Sequence, residues 1–167
     1  MQLQPSQYAA LKAAIAADPT LNAYPNTQDG AFNMAAQKLN VAFAPAFQVY
    51  KDLSEANTID LGNVISYVAY AAMTTANQQQ WANFYALNPQ HYDPSRADIQ
   101  SFMANTWSGA LGGDGAATRA ALLAYGIRNA WYIEKIYATG TGTLVSPAKM
   151  VFIGAVNYLD VYAARNS

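Results

Sequence analysis

The sequence predicts a mostly α fold, a single-domain helical bundle of six or seven helices with one short extended, edge-strand segment. Three observations predict it. Apolar residues recur at helical spacing in most stretches between proline and glycine breaks. One stretch alone changes to period two. No linker or internal repeat divides the 167 residues, so the reading is one helical domain over 1–167. That length is about one domain at roughly 150 residues per domain, long enough to bury a core without staples.

Pro5 suits a first helical turn, and Tyr8, Leu11 and Ile15 follow at helical spacing. Asp18-Pro19 ends that helix, because the residue before proline is pushed out of the α region. After Pro25 and Asn26, Thr27 fits an N-cap, and Phe32, Ala35, Ala36 and Leu39 form one face of a second helix. Then the period changes: Val41, Phe43, Phe47 and Val49 take odd positions and smaller or polar residues the even ones. Pro45 has no N–H for a ladder, so this is an edge strand or extended arm that must pair with a weakly signalled segment or another subunit.

From Asp60 the helical period returns, with Leu61, Val64, Ile65 and Val68 as a stripe. Thr75 with Gln78 fits a capping box ahead of Trp81, Phe84 and Tyr85, and Asn88-Pro89 closes that helix. Asp93-Pro94 reads as N-cap and first position of the next helix, with Ile99, Phe102 and Met103 inward. Gly109, Gly112, Gly113 and Gly115 break the chain again. Residues 116–138 then read as the longest helix. At about 100° per residue, Leu123, Ile127 and Ala130 lie on one side and Tyr125, Tyr132 and Ile136 nearly opposite. A helix apolar all round is central or covered by partner subunits. Thr139 to Thr143 is a flexible loop, and Ser146-Pro147 caps a last helix with Phe152, Ala155, Val156 and Leu159 on one face, weakened by Gly154.

Composition narrows the function classes. Charged residues are 11%, less than half of the roughly 25% usual in soluble domains. Hydrophobic residues are 53%, yet mean hydropathy is only -0.02, because alanine supplies much of the apolar count and Asn and Gln the polarity. A net charge of -1 creates no field for nucleic acid or anionic lipid. Residues 61–92 lack Asp, Glu, Lys and Arg, but their amides keep every apolar run far below the roughly 20 residues of a membrane span. The start Met1-Gln2-Leu3-Gln4-Pro5 has neither a basic nor an apolar region, which predicts no signal peptide. Without cysteine there are no disulfides, thiolate metal sites or Cys nucleophiles.

Each candidate for chemistry meets a plainer reading. His91, the single histidine, has only Asp93 nearby, where a metal site wants three or four ligands. Gly112-Gly113-Asp114-Gly115 before a helix resembles a phosphate cradle, but the spacing and lysine of such loops are missing, and a turn with Asp114 as cap fits better. Thr139-Gly140-Thr141-Gly142-Thr143 reads as a connection. Of the two glutamates, Glu55 and Glu134, the latter falls on the apolar Leu123/Ile127/Ala130 side. There it is a raised-pKa acid, half of a buried ion pair with a distant arginine, or a group at a subunit contact. Arg128 and Lys135 share a face of the long helix while Arg119 points away, which is weak evidence for nucleic-acid binding. Catalytic, cofactor-binding and metal-binding residues: none is predicted.

The rings are the stronger signal. Twelve tyrosines and three tryptophans exceed the needs of one core, and Tyr and Trp concentrate at interfaces poor in Lys and Glu. The candidate interface is Val41, Phe43, Phe47 and Val49 on the extended arm with Tyr125, Trp131 and Tyr132 on the long helix. The arm would add to a neighbour by strand pairing.

Several stretches carry a resemblance. Gln7 to Ala13 through Asp18-Pro19, Ala44 to Tyr50, Thr118 to Leu123, Ala138 to Thr143 and Ser146 to Met150 together resemble small proteins of tailed-bacteriophage structural gene modules. The likeness is spread over most of the chain and includes no catalytic signature, so no functional residues carry over. It implies a bacteriophage virion structural protein, a head–tail connector, neck or tail-completion component acting through protein–protein contacts in a multi-copy assembly. The implied partners are other phage structural proteins and further copies of the chain as a homo-oligomer, with no membrane and no sequence-specific nucleic acid. The implied place is the virion, after synthesis in the host cytoplasm, and the protein is not an enzyme. The alternative is a non-virion phage accessory protein that binds a host factor or small ligand.

Overall fold

The computed structural model describes residues 3–26, 29–108, 111–152 and 154–167, so the sites predicted at Thr27 and Gly109 lie outside the described residues. The fold is mostly helical with one short two-stranded sheet. Among the described residues seven α-helices have six residues or more: α1 (Pro5–Ala17), α3 (Asp29–Leu39), α5 (Thr75–Leu87), α6 (Ala97–Thr106), α7 (Gly112–Tyr125), α8 (Tyr132–Tyr137) and α9 (Tyr158–Asn166). Shorter α2 (Pro19–Asn22), α4 (Tyr67–Ala71) and a 3-10 helix (Ile59–Val64) complete them, and β1 (Gln48–Tyr50) pairs with β2 (Ile127–Asn129).

The chain forms two compact units, one of Met1–Val49 with Asn129–Ser167 and one of Tyr50–Arg128. In the first, α1, α3, α8 and α9 pack around Leu11, Ile15, Phe32, Leu39, Ile133 and Val161. The predicted faces of the first two helices are the buried ones: Leu11 and Ile15 on α1, and Phe32, Ala35, Ala36 and Leu39 on α3. Asp18 ends α1 and also starts α2, where its Oδ1 accepts from the Thr20 and Leu21 N–H groups at 2.8 and 3.2 Å. In the second unit, α4 to α7 and the 3-10 helix enclose Leu61, Trp81, Phe84, Tyr92, Trp107 and Leu122. Trp81, Phe84 and Phe102 lie nearly parallel, with centroids 5.2–5.6 Å apart.

Four predicted elements differ. The helix expected over 116–138 is α7, β2 and α8 in succession. Its middle bonds sideways: the Ala130 N–H donates to the Phe47 carbonyl, the Phe43 N–H to the Ala130 carbonyl (2.8 Å each) and the Tyr132 N–H to the Val41 carbonyl (2.9 Å). Backbone groups so used cannot close a helical ladder, and the all-round apolar pattern divides between two helices and a strand. The stripe from Leu61 to Val68 is likewise interrupted. Ile65 is extended, Ser66 caps α4 by accepting from the Ala69 N–H, and Val68 points outward.

The helix expected after Ser146-Pro147 starts only at Tyr158. The Ala148 and Lys149 N–H groups instead donate to the Gln48 and Thr139 carbonyls at 2.9 Å each. Ala155 and Leu159, placed on its inner face, are exposed, while Phe152 and Val156 remain buried. Finally, α7 already includes Gly112 and Gly113, with Asp114 in its first turn rather than as its cap. Smaller shifts occur at α5, capped by Thr74, and at α6, which begins at Ala97 while Asp93 Oδ1 accepts from the Ser95 N–H.

A fully buried carboxylate ties the ends of the first unit. Asp160 Oδ1 accepts from the Leu3 N–H at 3.1 Å and Oδ2 from the Asn157 N–H at 3.0 Å, while Asn157 Oδ1 accepts from the Asp160 N–H. Truncation would leave two backbone donors without an acceptor. Asp160→Ala is expected to lower unfolding free energy by about 3 kcal/mol in urea denaturation; a variant as stable as the parent would refute this role.

Candidate interaction surface

The extended segment 41–49 is held along its length by its own unit. Besides the bonds to Ala130 and Tyr132, the Phe47 N–H donates to Asn129 Oδ1 at 2.8 Å and Asn129 Nδ2 donates to the Phe43 carbonyl at 3.0 Å. The Gln48 N–H donates to the Gly142 carbonyl at 2.7 Å. Ala42 forms an antiparallel bridge with Trp131, and Val49 a parallel one with Ala148. The weakly signalled partner is therefore the 129–148 stretch of the same chain. Strand addition of this arm to a neighbour, as expected from its period, is not available through these groups because they are already paired.

The seven predicted interface residues separate accordingly. Val49 is fully buried with Ala130 and Ala148, so it belongs to no surface. Phe43 and Phe47 are half-buried, and the Lys135 ammonium lies 3.7 Å from the Phe43 ring centroid and 5.9 Å from that of Phe47. The Phe43 ring also tilts against Tyr132 at 5.0 Å, within the range where ring and cation contacts are favourable. Val41 and Trp131 are exposed. Tyr125 lies in the other unit, half-buried under the Lys51 ammonium at 3.8 Å, and its hydroxyl donates to Asp60 Oδ2 at 3.0 Å.

Tyr132 donates its hydroxyl proton to Asp18 Oδ2 at 2.7 Å. That bond, with the Thr20 and Leu21 N–H groups, holds the Asp18 carboxyl below its ordinary range despite some desolvation. Burial, reinforced by the carboxylate, pushes the Tyr132 phenol up to about 12.

The remaining chemical candidates acquire structural roles. Glu134 is buried, and its Oε2 accepts from the Trp131 N–H at 2.8 Å at the start of α8, closing a capping box. Arg128 pairs with Glu55 at 2.7 Å from β2 and Lys135 lies over Phe43 from α8, so they share no helix face. The main chain of His91 forms an antiparallel bridge with that of Asn57. Among the described residues no group of three or more His, Cys, Asp or Glu could hold a metal. The Thr139–Thr143 loop is pinned rather than loose. Thr139 and Lys149 exchange backbone bonds of 2.9 Å, and the Thr141 hydroxyl donates to the Ser146 carbonyl.

Fewer rings face water than composition implies. Eight of the twelve tyrosines are half-buried and Tyr92 is buried, leaving Tyr67, Tyr158 and Tyr162 exposed; of the tryptophans only Trp131 is. Aliphatic side chains supply the rest of the outward apolar surface, among them Leu87 at 81% exposure, Leu144 and Val145. Apolar spacing does not mark these residues, because a periodic pattern selects side chains that face a core. Their only signal was an apolar side chain out of register or inside a turn. Comparison with protein-family models, curated proteins and solved structures returns no match.

Tyr132→Phe removes the hydroxyl donor, and Asp18 is then expected to titrate closer to an ordinary aspartate by carbon-detected NMR. The native carboxylate contributes stability above about pH 4 that is lost as pH falls through its lowered pKa, so the variant should lose less stability across that window. The phenol works in the opposite direction: its contribution is complete below about pH 10 and disappears as pH rises through about 12. An unchanged Asp18 titration in Tyr132→Phe would contradict the assignment.

Proposed function

We propose that the chain is a bacteriophage virion structural protein, a head–tail connector, neck or tail-completion component that works through protein–protein contacts in a multi-copy assembly. Its partners in this reading are other phage structural proteins and further copies of itself, and it is not an enzyme. The observation that carries the assembly role is an apolar outside on a charge-poor chain. Tyr67, Leu87 and Val145 are each more than four-fifths exposed, while only 11% of residues are charged. Apolar side chains with so few charges between them favour burial against other chains over permanent hydration. The phage setting rests on the resemblance of the stretches from Gln7 to Met150. Among the described residues no helix is long and apolar enough to cross a membrane.

Such a protein works by covering its outward apolar faces. On α9, Tyr158 and Tyr162 stand one turn apart on the outer side, with Tyr162 edge-on to buried Phe32 at 5.4 Å, so an exposed ring rests on a rigid base. Rings fixed in this way bind with little further loss of side-chain freedom.

Mass spectrometry of purified particles should find the chain in multiple copies, and sedimentation of the isolated protein should give a mass above the monomer's 18.0 kDa that rises with concentration. A strict monomer absent from particles would overturn the reading.

A further inference from the structure

Residues 139–149 form a hairpin whose tip has unusual chemistry. Thr139 and Lys149 exchange backbone bonds at 2.9 Å each, and Thr143 and Ser146 exchange theirs at 3.1 and 3.2 Å, leaving Leu144 and Val145 as the two tip residues. Two-residue hairpin tips usually carry Asn, Asp or Gly, which suit the backbone and face water. Here Leu144 is 73% and Val145 96% exposed.

The stem is fixed. Gln48 bonds to it on both sides, through its N–H to the Gly142 carbonyl and its carbonyl from the Ala148 N–H. Gly142 adopts φ 67, and a Cβ there would stand 2.2 Å from the Phe47 ring, so the approach of ring and stem depends on glycine. The apolar pair is thus held outward by a rigid support, which lowers the entropy lost on docking.

A matching recess lies in the second unit. Between α5 and α6 is a groove of about 400 Å³, floored by Phe84, Ile99 and Phe102. Phe84 and Phe102 belong to the stacked rings, so the floor is rigid. The amides of Gln80 and Asn83 stand on its rim, and its charged pair, Arg96 and Asp98, is joined at 2.5 Å.

We propose that the Leu144–Val145 tip of one copy docks into the α5/α6 groove of a second copy. The apolar tip meets an aromatic floor, and the hydroxyls of Thr141, Thr143 and Ser146 behind it meet the rim amides. Residues 139–148 carry no charge and the groove's charges neutralise each other, so neither surface selects a charged partner. A lipid surface would need cations beside the tip, and the chain's net charge is -1. Tip and groove are different sets of residues, so each copy offers both halves of the contact. This contact deepens the assembly reading above and rests on it.

The cysteine-free chain allows a direct test. Val145→Cys and Asn83→Cys are introduced into separate full-length chains, mixed and mildly oxidised. The expected result is a mixed disulfide dimer at least about fivefold more abundant than either self-linked dimer. Leu144→Ser with Val145→Ser, at two exposed positions and with an unchanged circular dichroism spectrum as the folding control, should weaken self-association about tenfold or more in sedimentation. Val145→Cys linking only to itself overturns the proposal, as does a yield no higher than that of exposed Ala116→Cys paired with Asn83→Cys. Assembly unaffected by the serine pair overturns this contact while the assembly reading stands. Crosslinking of the tip to a different virion protein in place of a second copy gives the tip another partner and also overturns it. A strict monomer absent from particles overturns both.

Discussion

The first unit depends on the backbone bonding of one extended segment. It is discontinuous, with the residues of another unit lying between its two parts, and segment 41–49 meets residues 129–148 through paired main-chain groups. Bringing together stretches so distant in sequence costs loop-closure entropy before any contact forms. The offset comes from many modest terms acting at once: the bonds of Phe43, Phe47, Gln48, Ala130 and Ala148, with the Asn129 amide joining Phe47 to Phe43. Each is small alone, and a buried backbone group left unpaired would cost more than a paired one contributes.

That bonding has consequences on either side of the segment. Towards β2 it occupies the amides of residues 130 and 132, so α7 ends at Tyr125 and α8 begins afresh at Tyr132, with the Glu134 carboxylate on the Trp131 N–H. Towards the C-terminus it fixes the 139–149 hairpin against Gln48 and Phe47, which delays the next helix to Tyr158. The short α8 and the irregular stretch before α9 thus follow from one cause. Carboxylates then complete the helix starts, Asp18 for α2, Glu134 for α8 and Asp160 for α9, in a chain with few charges elsewhere.

The surface follows from the same economy of charge. Most of the rings serve the cores, where stacked Trp81, Phe84 and Phe102 give the second unit a stiff centre. Among the apolar side chains that remain outside are Tyr162, edge-on to Phe32, Leu87 at the end of α5, and the two residues of the hairpin tip.

The sequence by itself determined the class of fold and the inner faces of α1, α3, α5 and α6, because apolar spacing and proline breaks act within a few residues of where they occur. It also marked Val41–Val49 as extended through the alternation of large side chains. Tertiary structure alone decided what that segment pairs with, where the 116–138 pattern breaks, and which apolar residues stay outside. In residues 127–136 the same apolar pattern fits a helix buried on every side or a strand followed by a short helix, and lateral backbone bonds select between them. Leu144 and Val145 look like core residues in any reading of composition. Their place at a two-residue turn, created by the Thr143–Ser146 pair, is what turns them outward.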